Sequence, residues 1–107
     1  MPKLERMQGN ASISNEILAS YAADAAREVA GVRGLVESPL HRHRGVRVSG
    51  EDGRVRVELH LGVDWGASIP DVGRSVQERV RDYLGRMTDA ELDCVDVVVD
   101  EIGPGPA

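Results

Sequence analysis

Between Arg54 and Val63 the chain alternates without a break, Val55, Val57, Leu59, Leu61 and Val63 against Arg54, Arg56, Glu58, His60 and Gly62. A period of two held this long predicts a strand with one buried face. Just upstream Val46 and Val48 alternate with Arg47 and Ser49, and Gly50-Glu51-Asp52-Gly53 lies between the two runs. Asp-Gly tolerates the positive φ of a tight turn, so the runs predict a hairpin of 46–49 with 54–63. Val95, Val97 and Val99, interleaved with Asp96, Val98 and Asp100, predict a last strand over 93–101 whose outward positions are acidic.

Two other segments follow the helical period. From Asn15 to Ala30 the chain is rich in alanine, with Ser14 or Asn15 available as N-cap, Glu16 in the first turn and Gly31 where a left-handed residue ends a helix. Ile17, Leu18, Tyr21, Ala25 and Val29 share a stripe, and the alanines imply a close approach to the sheet. A second helix starts after Ser68, with Pro70 in the first turn and Asp71 completing a capping-box-like pair. Its stripe is Ile69, Val72, Val76, Val80, Tyr83, Leu84 and Met87, and Gly73 beside it suggests close contact. Arg74, Glu78, Arg81, Asp82 and Arg86 form its solvated face.

Residues 31–45 hold three glycines and a proline with no period and read as a loop. Ala11 to Ser14 could add a short edge strand, residues 1–10 and 103–107 read as flexible tails, and the domain spans 11–102. The elements predict an α+β two-layer sandwich, (β)-α-β-β-α-β, with two helices on one face of a three- or four-stranded sheet. Counting the first strand gives a ferredoxin-like order; omitting it gives a KH-like one, and strand order stays open. Val57, Leu59, Leu61, Val76, Val80, Val97 and Val99 are the expected core.

Composition narrows the function classes. A length of 107 residues suits one domain, and 41% hydrophobic with 29% charged residues is too apolar for a disordered chain. With no Phe, one Trp and two Tyr, the core must be aliphatic. No apolar stretch approaches the roughly 20 residues that cross a bilayer, and no signal pattern opens the chain, so a cytoplasmic protein without direct membrane insertion is expected. The single cysteine, Cys94, allows neither an internal disulfide nor a cysteine metal cage, and its acidic neighbours make it a poor nucleophile. The net charge of −5 argues against a general binder of nucleic acid.

That charge is unevenly spread. Arg42, Arg44, Arg47, Arg54 and Arg56 crowd one segment, whereas residues 88–102 carry Asp89, Glu91, Asp93, Asp96, Asp100 and Glu101 and no base. Arg54 and Arg56 are expected to face Asp96 and Asp100 on a neighbouring strand, each pair contributing tenths of a kcal/mol. The alternative is a contact between molecules, with Arg47, Arg54 and Arg56 meeting Asp93, Asp96 and Asp100 of another copy. Trp65 either seals the end of the core, the preferred reading, or anchors a partner. His41 and His43 sit in HRHR, a basic loop rather than a metal site, and His60 is expected half-exposed on the outer face of its strand. GVRG at Gly31 to Gly34 has the spacing of a KH clamp, which would make the chain a small RNA-binding module, but no helix is expected behind it. No nucleophile elbow, phosphate-binding loop or dinucleotide fingerprint occurs, and no metal, cofactor or catalytic residue is assigned.

The stretches REVAGVRGL and GVRVSGEDGRVRVELHLGVDWGASIPDVGRSVQERVRDYLGRMTDAEL, followed by a Val-rich strand, resemble the alkaline shock protein (envelope stress response) family over residues 11–102. The landmarks are the helix-ending Val-Ala-Gly-Val, the Glu-Asp-Gly hairpin, the small-residue bend after the long strand, and Ile-Pro-x-Val followed by Val-Gln-Glu-x-Val. The resemblance implies a non-enzymatic, cytoplasmic scaffold that self-associates and docks to a partner. It further implies that the partner can be a membrane-anchored one and that the role lies in envelope stress or envelope and lipid homeostasis.

Overall fold

The computed structural model describes residues 14–37, 45–51 and 54–104. The strand expected at Ala11 to Ser14 lies outside them except for Ser14, which caps a helix, and the HRHR segment lies outside them entirely. The elements run α1 (Asn15–Arg27), β1 (Val32–Leu35), β2 (Val46–Glu51), β3 (Arg54–Val63), α2 (Ile69–Met87) and β4 (Glu91–Ile102).

β3 is the centre of the sheet. β4 pairs with it in parallel along its whole length, from Arg54↔Glu91 to Val63↔Ile102. A strand has two edges, so β1 and β2 share the other one end to end: β2 pairs antiparallel from Val46↔Leu59 to Glu51↔Arg54, and β1 from Val32↔Val63 to Leu35↔Leu61. The hairpin is as expected. β1 corrects the reading of 31–45 as a loop throughout. It is four residues long, contains Gly34 and has an irregular register, so it carries no period of its own and exists because the end of β3 offers it a ladder.

Both helices cover the face that presents Val46, Val57, Leu59, Leu61 and Val63, all buried. α1 begins where the Ser14 hydroxyl accepts a hydrogen bond from the Ile17 amide at 3.2 Å. It stops at Arg27, short of the expected Ala30, and the chain turns through Gly31 at φ +96°. A Cβ at Gly31 would lie 2.8 Å from Val72 Cγ2, so both conformation and space require glycine there. The buried face of α1 is mostly alanine (Ala19, Ala22, Ala23, Ala25, Ala26) with Leu18, which lets the helix sit close to the sheet; Ile17, expected in the stripe, is exposed.

α2 starts as expected, with the Ser68 hydroxyl accepting from the Asp71 amide at 3.4 Å and Pro70 in the first turn. It buries Val72, Val76, Val80 and Leu84, while Ile69 and Met87 at its ends are exposed. Tyr21 and Tyr83 meet edge to face at 5.8 Å between ring centroids, joining the two helices. On β4, Val95 is buried, but Val97 and Val99 are only half-buried, contrary to expectation. β4 has a neighbour on one side alone among the described residues. The turn of α2 above it carries Gly73, whose added Cβ would meet nothing within 4 Å, so Gly73 opens a gap rather than a close contact.

Candidate interaction surfaces

The sheet face opposite the helices presents the polar half of β3 beside the acidic strand β4. Parallel register sets the N-terminal part of one strand against the N-terminal part of the other. Arg54 therefore meets Glu91, with Nε 3.7 Å from Oε1, and Arg56 meets Asp93, with Nε 3.4 Å from Oδ2. The expected partners were Asp96 and Asp100; an antiparallel or shifted pairing would have given them, and only the register decides. Both arginines are about two-thirds exposed, so each pair is screened and contributes tenths of a kcal/mol.

Further along β3, the structure overturns the expectation for His60. Its side chain points to the open face as its parity requires, yet the residue is 8% exposed and both ring nitrogens are engaged. Nε2 lies 2.6 Å from Glu58 Oε2 and Nδ1 lies 2.7 Å from Asp100 Oδ2. Two carboxylates can both be satisfied only by the doubly protonated ring, which donates from each nitrogen. Burial alone would lower the His60 pKa, but the hydrogen bonds to Glu58 and Asp100 and the charges of these two groups outweigh it, and His60 is held above its ordinary value. Asp100 reaches the ring because the β3–β4 register slips between Leu61↔Val99 and Gly62↔Glu101, leaving Asp100 as the extra residue of a bulge. Sequence reading missed this site. Its signal was Glu58 and His60 two apart on a strand, hence on one face, with an acidic strand in the same chain; the bulge could not be read.

The remaining candidates are dispersed. Arg47 is exposed on β2, on the side of the sheet away from β4, and no ion pair is seen for it among the described residues. Asp96 is exposed opposite Glu58, with only the Cys94 thiol nearby at 3.9 Å. Basic and acidic candidates thus occupy one face but different strands, Arg47 on β2, Arg54 and Arg56 on the central β3 and the acids on the edge strand β4. Trp65, expected to close the core, instead stands in the turn between β3 and α2 and is 61% exposed. Gly66, the residue that follows, takes a positive φ of +88° in that turn.

Near Trp65 the gap over Gly73 forms a groove of about 360 Å³, floored by Val97 and Val99 and walled by Ile69, Pro70 and Gln77, with Arg74 at its rim. Gln77 donates to the Val95 carbonyl at 2.9 Å and fixes α2 against β4. Gly31 to Gly34 runs from the turn after α1 into β1, with Gly34 opposite Gly62, and so is not a clamp between helices. Among the described residues no group of three or more His, Cys, Asp or Glu side chains is arranged to hold a metal ion, since in Glu58–His60–Asp100 the ring nitrogens are turned to the carboxylates.

Comparison with known proteins follows this geometry. The profile of the alkaline shock protein 23 family, described by a cell envelope-related function, matches residues 3–104. The uncharacterized protein YqhY of Bacillus subtilis is 31% identical over 99 residues, covering 83% of this chain and 73% of its own. YloU of the same organism, also uncharacterized, is 25% identical over 109 residues, covering 91% of each chain. Among solved structures, a variant of the MamM C-terminal domain superposes with a TM-score of 0.58 at 18% identity, over 85% of this chain and 100% of that one. A cadmium form of another variant gives 0.56 at 19%, over 82% and 98%. At that identity the likeness is one of fold: an α+β sandwich of the same plan.

Proposed function

The chain belongs to the alkaline shock protein 23 family, with its cell envelope-related function, and from that premise we propose that it is a non-catalytic scaffold, self-associating and docking to a partner in envelope stress or envelope homeostasis. The observation that carries the reading is β4. It is twelve residues long, holds five acidic residues and no base, and pairs on one side only among the described residues. A long unpaired edge invites pairing, and its charge selects what pairs with it. The Arg47, Arg54 and Arg56 surface of one copy supplies the opposite sign for Asp93, Asp96 and Asp100 of the next. The exposed pairs that Arg54 and Arg56 already make exchange for intermolecular ones at little cost. Because the basic patch on β2 and β3 and the acidic strand β4 are different surfaces, such a contact runs head to tail.

The non-catalytic reading rests on His60. Both its nitrogens are held by carboxylates, leaving neither to take a proton from a substrate. Among the described residues no helix is long and apolar enough to cross a membrane. The family's cell envelope-related function supports the further proposal that a membrane-anchored protein partner holds the chain at the inner face of the membrane. Affinity capture of the tagged full chain from its source cell, in mild detergent, tests this. An envelope or membrane protein recovered with the wild type and lost with Asp96→Lys supports the reading, and capture of none contradicts it.

A further inference from the structure

We propose that Trp65 of one copy seats in the groove between α2 and β4 of a second copy, and reciprocally, so that two chains meet about a two-fold axis beside the β3–α2 turn. The proposal rests on the reading that the protein works by association and adds to the head-to-tail contact a second, two-fold one. It starts from a mismatch on one corner of the molecule. The only tryptophan of the chain stands 61% exposed, Ile69 and Ile102 are exposed as well, and Ile69 borders a groove with an aliphatic floor that no side chain of the described residues fills. An exposed indole leaves much apolar area in water, and tryptophan is the residue most enriched as an anchor in interfaces.

The groove suits that anchor. Val97 and Val99 give it an aliphatic floor, and Gly73 leaves the space above them open where any other residue would project into it. Knob and hole are close in the chain, Trp65 lying four residues before Ile69, so a two-fold axis at this corner presents each knob to the other's hole. That is an isologous contact, which closes at two chains. Charge agrees. Asp64, exposed beside Trp65, arrives with the indole, and the rim of the receiving groove carries Arg74, whose only ion pair among the described residues is a 3.3 Å exposed contact to Asp71. The guanidinium also lies where it can stack on the incoming ring. Trp65 does not line the groove of its own chain.

The area sets the strength. A buried tryptophan covers roughly 150–250 Å², so two reciprocal anchors with Ile69 and Ile102 fall below the roughly 800 Å² per partner of a standard interface. The dimer should form and dissociate with concentration. The experiment uses Trp65 as its own reporter. Emission and acrylamide quenching of the full chain are followed over a concentration series, with light scattering on the same samples. As the mass rises from one chain to two, emission should shift to shorter wavelength and quenching should fall. Gly73→Leu fills the groove; its Cβ meets nothing within 4 Å and leucine is the better helix former, so it keeps the fold while removing both changes. Asp64→Arg should raise the dissociation constant several-fold, and adding Arg74→Glu should restore it. Association with unchanged emission, or a Gly73→Leu variant that dimerises like the wild type, overturns this contact and leaves the scaffold reading standing. A single chain at every concentration overturns both.

Discussion

Replacing His60 with Gln tests whether the charged bracket holds β3 to β4. The native ring donates to Glu58 and Asp100 at 2.6 and 2.7 Å. Glutamine reaches only one of them and carries no charge. A hydrogen bond to a charged group contributes about 1.5–3 kcal/mol, and here the carboxylates regain some hydration, being 34% and 37% exposed, so the expected loss is about 1–2 kcal/mol. In a domain of this size each kcal/mol moves Tm by roughly 4–8 °C. The pH dependence separates this from simple loss of packing. The folded pKa of His60 lies above its unfolded value of about 6.5, so its contribution is complete below that pH and is lost as pH rises through the folded pKa. Asp96 and Glu101, on the same strand as Asp100, favour the protonated ring by charge and do not change the sign. Thermal unfolding of both proteins, followed by circular dichroism from pH 5.5 to pH 9, gives the difference directly. The other ionisable groups are common to both proteins, so the difference isolates His60. The wild-type advantage should be largest near pH 6 and shrink toward pH 9; an advantage that is absent, or equal at both ends, refutes the bracket.

Gly31→Ala combines a positive φ with a contact 2.8 Å from Val72, and should lower stability by about 1–3 kcal/mol in denaturant titration, more than Gly34→Ala, whose site is open. Leu59, fully buried at the centre of β3, should cost about 2–5 kcal/mol as Leu59→Ala with an unchanged denaturant slope. Single-stranded RNA should bind the chain weakly or not at all at physiological salt in a filter or anisotropy assay, given the net charge of −5.

Elements with a sustained period were legible in the sequence. Ten alternating residues specify β3, and a five-turn stripe with Ser68 and Pro70 specifies α2, because burial of one face leaves few other conformations for such patterns. What depended on neighbours was not legible. β1 exists through the ladder it finds on β3, Val97 and Val99 are half-exposed because of where Gly73 falls above them, and Trp65 stands exposed in the turn between β3 and α2. The charged residues of the candidate surface were identified by composition, but their pairing was fixed by a parallel register and by one bulge. Those two features replaced Asp96 and Asp100 with Glu91 and Asp93 as partners of the arginines and delivered Asp100 to His60.

The central claim is association through opposed charge, and a charge-reversal cycle read by light scattering tests it most directly. Wild type, Arg47→Glu, Asp96→Lys and the double variant are compared across protein concentration at low and physiological salt. Neither residue makes an ion pair among the described residues, but both lie opposite Glu58 in the ladder, so the fold of each variant is checked by circular dichroism alongside. The account predicts assembly of the wild type that weakens with salt, since exposed charges are screened beyond about 8 Å at physiological ionic strength. It predicts loss of assembly beyond two chains in each single variant and its return in the double one. Assembly beyond two chains that ignores both salt and the single reversals, or a wild type that never exceeds two chains, would contradict it.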